Sequence, residues 1–132
     1  AAALGHTVLI VDPRGAFAAG PRFAGFEVDS RWPDEALDDW APDAASAVVT
    51  LTHDPKLDDV ALTAALRSPA YYIAALGSRK THAARLERLA AQGFGPADLA
   101  RIHGPAGLDI GAANPAEIAL SVAAQMTAAW RK

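Results

Sequence analysis

Three runs in this chain are apolar without interruption: Thr7–Val11 (TVLIV), Ala47–Thr52 (AVVTLT) and Tyr71–Leu76 (YYIAAL). A strand with one wet face alternates apolar and polar residues. A strand that is apolar throughout is buried on both faces, which in an ordinary domain means a parallel sheet covered by helices on each side. The intervening segments read as those helices. Pro33–Trp40 is a short acidic helix with Ser30 or Asp34 near its start, and Asp58–Arg67 is a second. Arg79–Gln92 is a third, ended by Gly93, and Pro96–Ala100 adds one more turn. Asn114-Pro115-Ala116-Glu117 combines an N-cap, a proline at N1 and an acid at N3. The helix it opens runs to about Trp130, with Ile118, Val122, Met126 and Trp130 as its inward stripe. Phe26–Val28 reads as a short strand, Ala16–Gly25 as a loop or short helix, and Ile102–Gly111 as an ordered loop with a short strand. The βα alternation predicts an α/β fold: a three-layer parallel sheet with helices on both faces.

Composition narrows what such a fold can be doing. Of 132 residues 52% are hydrophobic. Alanine, the best helix former, makes up a quarter of the chain, which suits helices lying close to a buried sheet. With no cysteine, the chain has no disulfide, thiolate metal site or cysteine nucleophile. The four histidines show no short metal-ligand spacing. A net charge of −3 argues against nucleic acid as the main partner. No stretch reads as a membrane span or secretory leader, so a cytoplasmic location and no membrane partner are expected. The start, Ala1-Ala2-Ala3-Leu4-Gly5, reads as the last turn of a helix closed by glycine, so these residues are expected to form one domain of a longer polypeptide.

Ligands of open α/β sheets bind beyond the carboxyl ends of the strands. Each strong strand here ends in a polar cluster: Asp12 and Arg14; His53, Asp54 and Lys56; Gly77, Ser78 and Arg79. Asp12 stands where a dinucleotide-binding fold keeps the acid for ribose hydroxyls, or it simply begins a turn with Pro13. Gly77-Ser78-Arg79 opens a helix whose free backbone N–H groups suit an oxyanion. Its cations oppose the helix dipole, as an anion site or a solvated basic turn would each allow. His53, Asp54 and Lys56 read as ligand contacts or as hydrogen-bonded scaffold. The stretch His103–Gly111 holds Gly107 and Asp109 in a loop dense in glycine and proline. Such a loop either shapes a site or makes a tight connection.

The same segments carry a resemblance. Val11-Asp12-Pro13-Arg14, Leu51-Thr52-His53-Asp54-Pro55-Lys56-Leu57, Tyr72-Ile73-Ala74-Ala75-Leu76-Gly77-Ser78-Arg79-Lys80-Thr81, and Gly107-Leu108-Asp109-Ile110-Gly111 through Pro115-Ala116-Glu117-Ile118-Ala119 occur in order. Together they resemble the C-terminal Rossmann-like domain of the XdhC/CoxI family, accessory factors of xanthine dehydrogenase and related molybdenum hydroxylases. The resemblance covers essentially the whole chain. It implies a chaperone, not an enzyme, that binds molybdenum cofactor (molybdopterin, with a nucleotide in some forms), assists its sulfuration and delivers it to an apo-hydroxylase. It carries Asp12, Arg14, His53, Asp54, Lys56, Gly77, Ser78, Arg79, Gly107 and Asp109 as cofactor-binding positions.

Two departures from that family are visible. The first strand with its Gly-x-Gly-His-type turn and the separate N-terminal domain are both absent from these residues. In a 3-2-1-4-5 sheet the first strand lies between the Thr7 and Ala47 strands, so both should show an open edge. The final helix carries only Glu117 as a charge from Ala116 to Ala129, which predicts a homo-oligomer or a contact with a missing domain. Two other functions remain open: a nicotinamide-dependent oxidoreductase, and a nucleotide-sensing regulatory domain.

Overall fold

The computed structural model describes residues 1–14 and 25–132; the segment expected as a loop from Ala16 lies, but for Gly25, outside them. All strand pairing among the described residues is parallel. β1 (Leu9–Val11) pairs with β2 (Glu27–Asp29), Leu9 opposite Glu27. β3 (Ala47–Thr50), β4 (Tyr72–Ala75) and β5 (Ile102–His103) form a second sheet with β4 in the middle. Among the described residues β1 pairs on one edge only, and so does β3. Those two open edges are the ones expected to flank the absent strand.

The helices are α1 (Pro33–Trp40), α2 (Pro55–Leu66), α3 (Arg79–Ala91), α4 (Pro96–Leu99) and α5 (Pro115–Arg131). A short 3₁₀ turn over Ala2–Leu4 is closed by Gly5 at φ 88°, as the opening residues suggested. Helix α2 begins three residues before the expected Asp58. Asp54 takes the N-cap, accepting from the Lys56 N–H at 3.0 Å, and Pro55 fills the first helical position, where its missing N–H costs nothing. The same arrangement opens α5 at Asn114-Pro115. Helix α1 departs from expectation at its start. Its N-cap is Trp32, with no side-chain cap bond, and Asp34 and Glu35 favour the dipole from within the first turn instead.

Strand β4 organises the core. Tyr72 and Ala74 face α5, packing with Met126, Val122 and Ala129. Ile73 and Ala75 face the opposite layer, with Leu62, Ala65 and Leu66 of α2 and Leu89 of α3. All four strand residues are buried, the reason the run does not alternate. Burying a side chain such as Ile73, Leu62 or Leu89 stabilises the fold by about 1.5–3 kcal/mol. The stripe expected on α5 is buried only at its middle: Met126 is covered, whereas Ile118 and Trp130 remain 37% and 48% exposed. Trp130 instead lays its ring 4.9 Å from that of Tyr71. Arg101 ties the layers together, donating to the carbonyls of Leu66, Ser68 and Ala70 and so satisfying the C-terminal end of α2.

Candidate functional site

Parallel strands place all their carboxyl ends on one edge, so the polar clusters that follow them collect there. Leu76 N–H donates to the Thr50 carbonyl at 3.0 Å, locking the ends of β3 and β4 side by side. Ala106 N–H donates to the Ala75 carbonyl at 3.0 Å, which brings the loop after β5 to the end of β4. The pKa of Arg14 is raised chiefly by its hydrogen bond to Asp12, and the charges of Asp54 and Asp58 add to the same direction, so the end of β1 lies within electrostatic reach of that of β3. The structure therefore gathers the clusters of Asp12 and Arg14, of His53, Asp54 and Lys56, and of Gly77, Ser78 and Arg79 along one rim.

The individual residues are held differently. Asp12 is clasped by Arg14: the Arg14 backbone N–H donates to Oδ1 at 2.9 Å, and its guanidinium reaches both carboxylate oxygens at 3.0 Å. These bonds hold the Asp12 carboxyl below the usual carboxylate range, against the opposing effect of burial. Strand β2 ends in the same clasp, Arg31 on Asp29, with Arg31 also reaching Asp39 of α1. A hydroxyl of a ligand reaching Asp12 must share it with Arg14.

His53 adopts a left-handed backbone, φ 63°, which is strained for a residue with a Cβ. Asp58 holds it there. Only 2% exposed, Asp58 accepts from Thr52 Oγ1 at 2.6 Å, from the Thr52 N–H at 3.3 Å and from the His53 N–H at 3.0 Å. The His53 side chain is thereby left exposed on the rim, with exposed Lys56 beyond it. Strain of this kind persists only where its surroundings over-determine it, and it concentrates at ligand sites.

At the end of β4, Gly77 has φ 141°, and the Ser78 hydroxyl caps α3 by accepting from the Thr81 N–H at 3.1 Å. Arg79 is exposed. Gly107, at φ 97°, donates its N–H to Gln125 Oε1 at 2.9 Å, and a Cβ there would overlap the Ser121 hydroxyl. Its place is therefore against α5, where it sets the path of the loop. Asp109 is exposed farther along that loop. Among the described residues no group of three His, Asp or Glu side chains could hold a metal ion.

Three residues of this rim went unread in the sequence: Thr50, Asp58 and Arg85. Asp58 stands four residues after the N-cap Asp54, and only its burial shows that it serves the preceding turn. His82, Arg85 and Leu89 lie on one helical stripe, so the presence of Arg85 in the inward position one turn before Leu89 was the available signal. Burial and the neighbouring Arg85 push the His82 imidazole pKa down. His103, stacked on Tyr72 at 4.9 Å, is lowered by burial and by Lys132.

A profile of the XdhC Rossmann domain matches residues 1–126. The chain belongs to the XdhC Rossmann domain family. The chain is also 34% identical over 84 residues to the molybdenum cofactor insertion chaperone PaoD of Escherichia coli K12, a match covering 64% of this chain and 26% of PaoD. A solved xanthine dehydrogenase structure from Bacillus halodurans superposes with a TM-score of 0.74 at 27% identity, over 95% of this chain and 35% of that one. The chain thus spans about a quarter of the curated relative and about a third of the solved one.

Proposed function

We propose that this chain is the cofactor-handling domain of a protein that binds molybdenum cofactor, assists its sulfuration and supports its insertion into a xanthine dehydrogenase-type hydroxylase. The observation that carries this reading is the rim itself. Polar clusters at the ends of β1, β3 and β4 converge in a domain whose family includes a relative described as a molybdenum cofactor insertion chaperone. On this reading Asp12, Arg14, His53, Asp54, Lys56, Gly77, Ser78 and Arg79 meet the cofactor, and Gly107 and Asp109 shape the facing loop. The role is binding and transfer, with no turnover of its own. Sulfuration needs a sulfur donor from outside these residues, because the chain has no cysteine to carry a persulfide.

Two parts of the assembly belong to the same proposal. A strand from outside these residues completes the sheet between β1 and β3. The outer face of α5 meets a second copy or another domain. Leu120 is 62% exposed there, on a face that also carries Ala124, Ala128 and nearby Leu4. A soluble cytoplasmic location follows from the role; no helix among the described residues is long and apolar enough to cross a membrane.

The test is to purify the full-length protein from cells that make molybdenum cofactor, oxidise it and measure released pterin. Activation of an apo-hydroxylase by the same preparation is then assayed. Pterin at near-stoichiometric amounts and faster activation are expected. Absence of both would overturn the proposal.

A further inference from the structure

Among the described residues four buried side-chain atoms have no hydrogen-bond partner: Thr50 Oγ1, His82 Nδ1, Arg85 Nε and Arg85 Nη1. All four lie at the carboxyl edge of β3, β4 and β5. Thr50 is opposite Ala75 in the β3–β4 register and is 5% exposed. It shares a strand face with Val48, which packs in the layer of α2 and α3. His82 and Arg85 descend from α3 into that layer. The His82 ring packs so closely on Gly104 that a Cβ there would overlap it.

Arg85 is the unusual member. It is 2% exposed, and the hydrogen bond of its guanidinium goes from Nη2 to the Leu76 carbonyl at 3.2 Å. A Cβ on Gly77 would stand 3.8 Å from Nη2, so the guanidinium lies directly beneath the Leu76–Gly77–Ser78 turn. A buried guanidinium needs both acceptors and a counter-charge. The buried acid of the region, Asp58, spends its oxygens on Thr52 and His53. Water would supply acceptors without the charge. On the other side of the same turn, the Thr81 N–H goes to the Ser78 hydroxyl and the His82 N–H to the Ser78 carbonyl. The N–H groups of Arg79 and Lys80 come before these, where the helix offers no carbonyl to accept them. Cations, donors and the positive end of a 13-residue helix therefore face one turn from above and below.

We infer that the Gly77–Ser78 turn is a phosphate site, in which the first N–H groups of α3 bind the anion from the rim and buried Arg85, with the Thr50 hydroxyl, neutralises it from beneath. A tetrahedral dianion offers several acceptor oxygens at once, which suits donors arriving from two sides. This rests on the cofactor reading and refines it: the phosphate end of the pterin is held at α3, leaving the rest of the rim for the ring system. Arg85, in place of the exposed Arg79, then dominates the affinity.

The experiment titrates the full-length protein with inorganic phosphate, and separately with a pterin phosphate, following heat of binding and thermal midpoint. Wild type should show saturable phosphate binding with a raised midpoint. Arg85→Met should lose about ten- to a hundredfold in phosphate affinity, the loss expected for a hydrogen bond to a charged group. Arg85→Lys, which keeps the charge on a similar stem, should lose less, and Thr50→Val should weaken binding without removing it. Arg88→Met, on the same helix but with its guanidinium paired to Asp59 of α2, should bind as wild type. If Arg85→Met does not fold, Arg85→Lys and Thr50→Val carry the test. Phosphate binding unchanged in the Arg85 and Thr50 variants, or absent from wild type, would overturn the inference. Pterin bound with unaltered affinity by those variants would sink this site and leave the cofactor reading intact. Phosphate bound here without any pterin would do the reverse.

Discussion

His82 shows how one side chain couples burial to conditions. Its imidazole is lowered in the folded state, so as pH falls the unfolded chain takes up its proton first. Stability therefore drops as pH passes down through the ordinary value of 6.5 and stops dropping below the folded value. His103, lowered for a similar reason, adds to the same window. Denaturant midpoints measured between about pH 7.5 and 5.5 should fall, and His82→Gln should make the slope shallower; an unchanged slope would contradict the assignment. The carboxylates clasped by Arg14 and Arg31 act in a separate window: their lowered values favour the folded state above the ordinary 3.8 and release that stability only in acid. Gly104 makes the complementary steric point. Because a Cβ there meets the His82 ring, Gly104→Ala should destabilise by about 1–3 kcal/mol, the usual cost of overpacking, with secondary structure by circular dichroism retained.

At the scale of elements, the turn from β3 into α2 is the most heavily determined piece of the site. Asp54 caps the helix, Pro55 starts it, and Asp58 reaches back to hold Thr52 and His53. Removing the Asp58 carboxylate leaves three part-buried donors short of an acceptor. Asp58→Ala should cost on the order of 3 kcal/mol by chemical denaturation. It should also release His53 from its left-handed backbone, which predicts faster amide exchange at His53 and Asp54. A loss below about 1 kcal/mol would mean that water replaces the carboxylate and that the turn does not depend on it. Much of this element was legible: the strand, the polar cluster and the helix all stand in the sequence. The start of α2 was misplaced because Asp58 resembles a first-turn acid until its side chain is seen facing the preceding turn.

At the scale of the molecule, the open edges of β1 and β3 have the clearest consequence. An apolar strand with unpaired backbone groups is exposed to exchange and to wrong pairing. If a strand outside these residues completes the sheet, the amides of Leu9–Val11 and Ala47–Thr50 should exchange slowly in the full-length protein. In the isolated 132-residue chain they should exchange at least about tenfold faster, with the β4 amides less affected. Equal rates in the two would show that nothing fills that position.

The sequence by itself determined the layered α/β plan, the parallel sense of the sheet, the three strand-end clusters and the family. Runs apolar at every position and caps such as Asn114-Pro115 are local signals, written in neighbouring residues and readable without contacts. Only the tertiary structure decided which of the polar residues are spent on scaffold and which face the rim. Asp54 and Asp58 differ by four positions and look alike in the chain, yet one caps a helix and the other is buried beneath a turn. Arg79 and Arg85 belong to one helix, yet one is exposed and the other lies in the interior with two nitrogen atoms unpartnered. Burial is set by what packs against a residue from distant parts of the chain. The cost of a buried charge, and hence the demand for a ligand to meet it, exists only once those parts have come together.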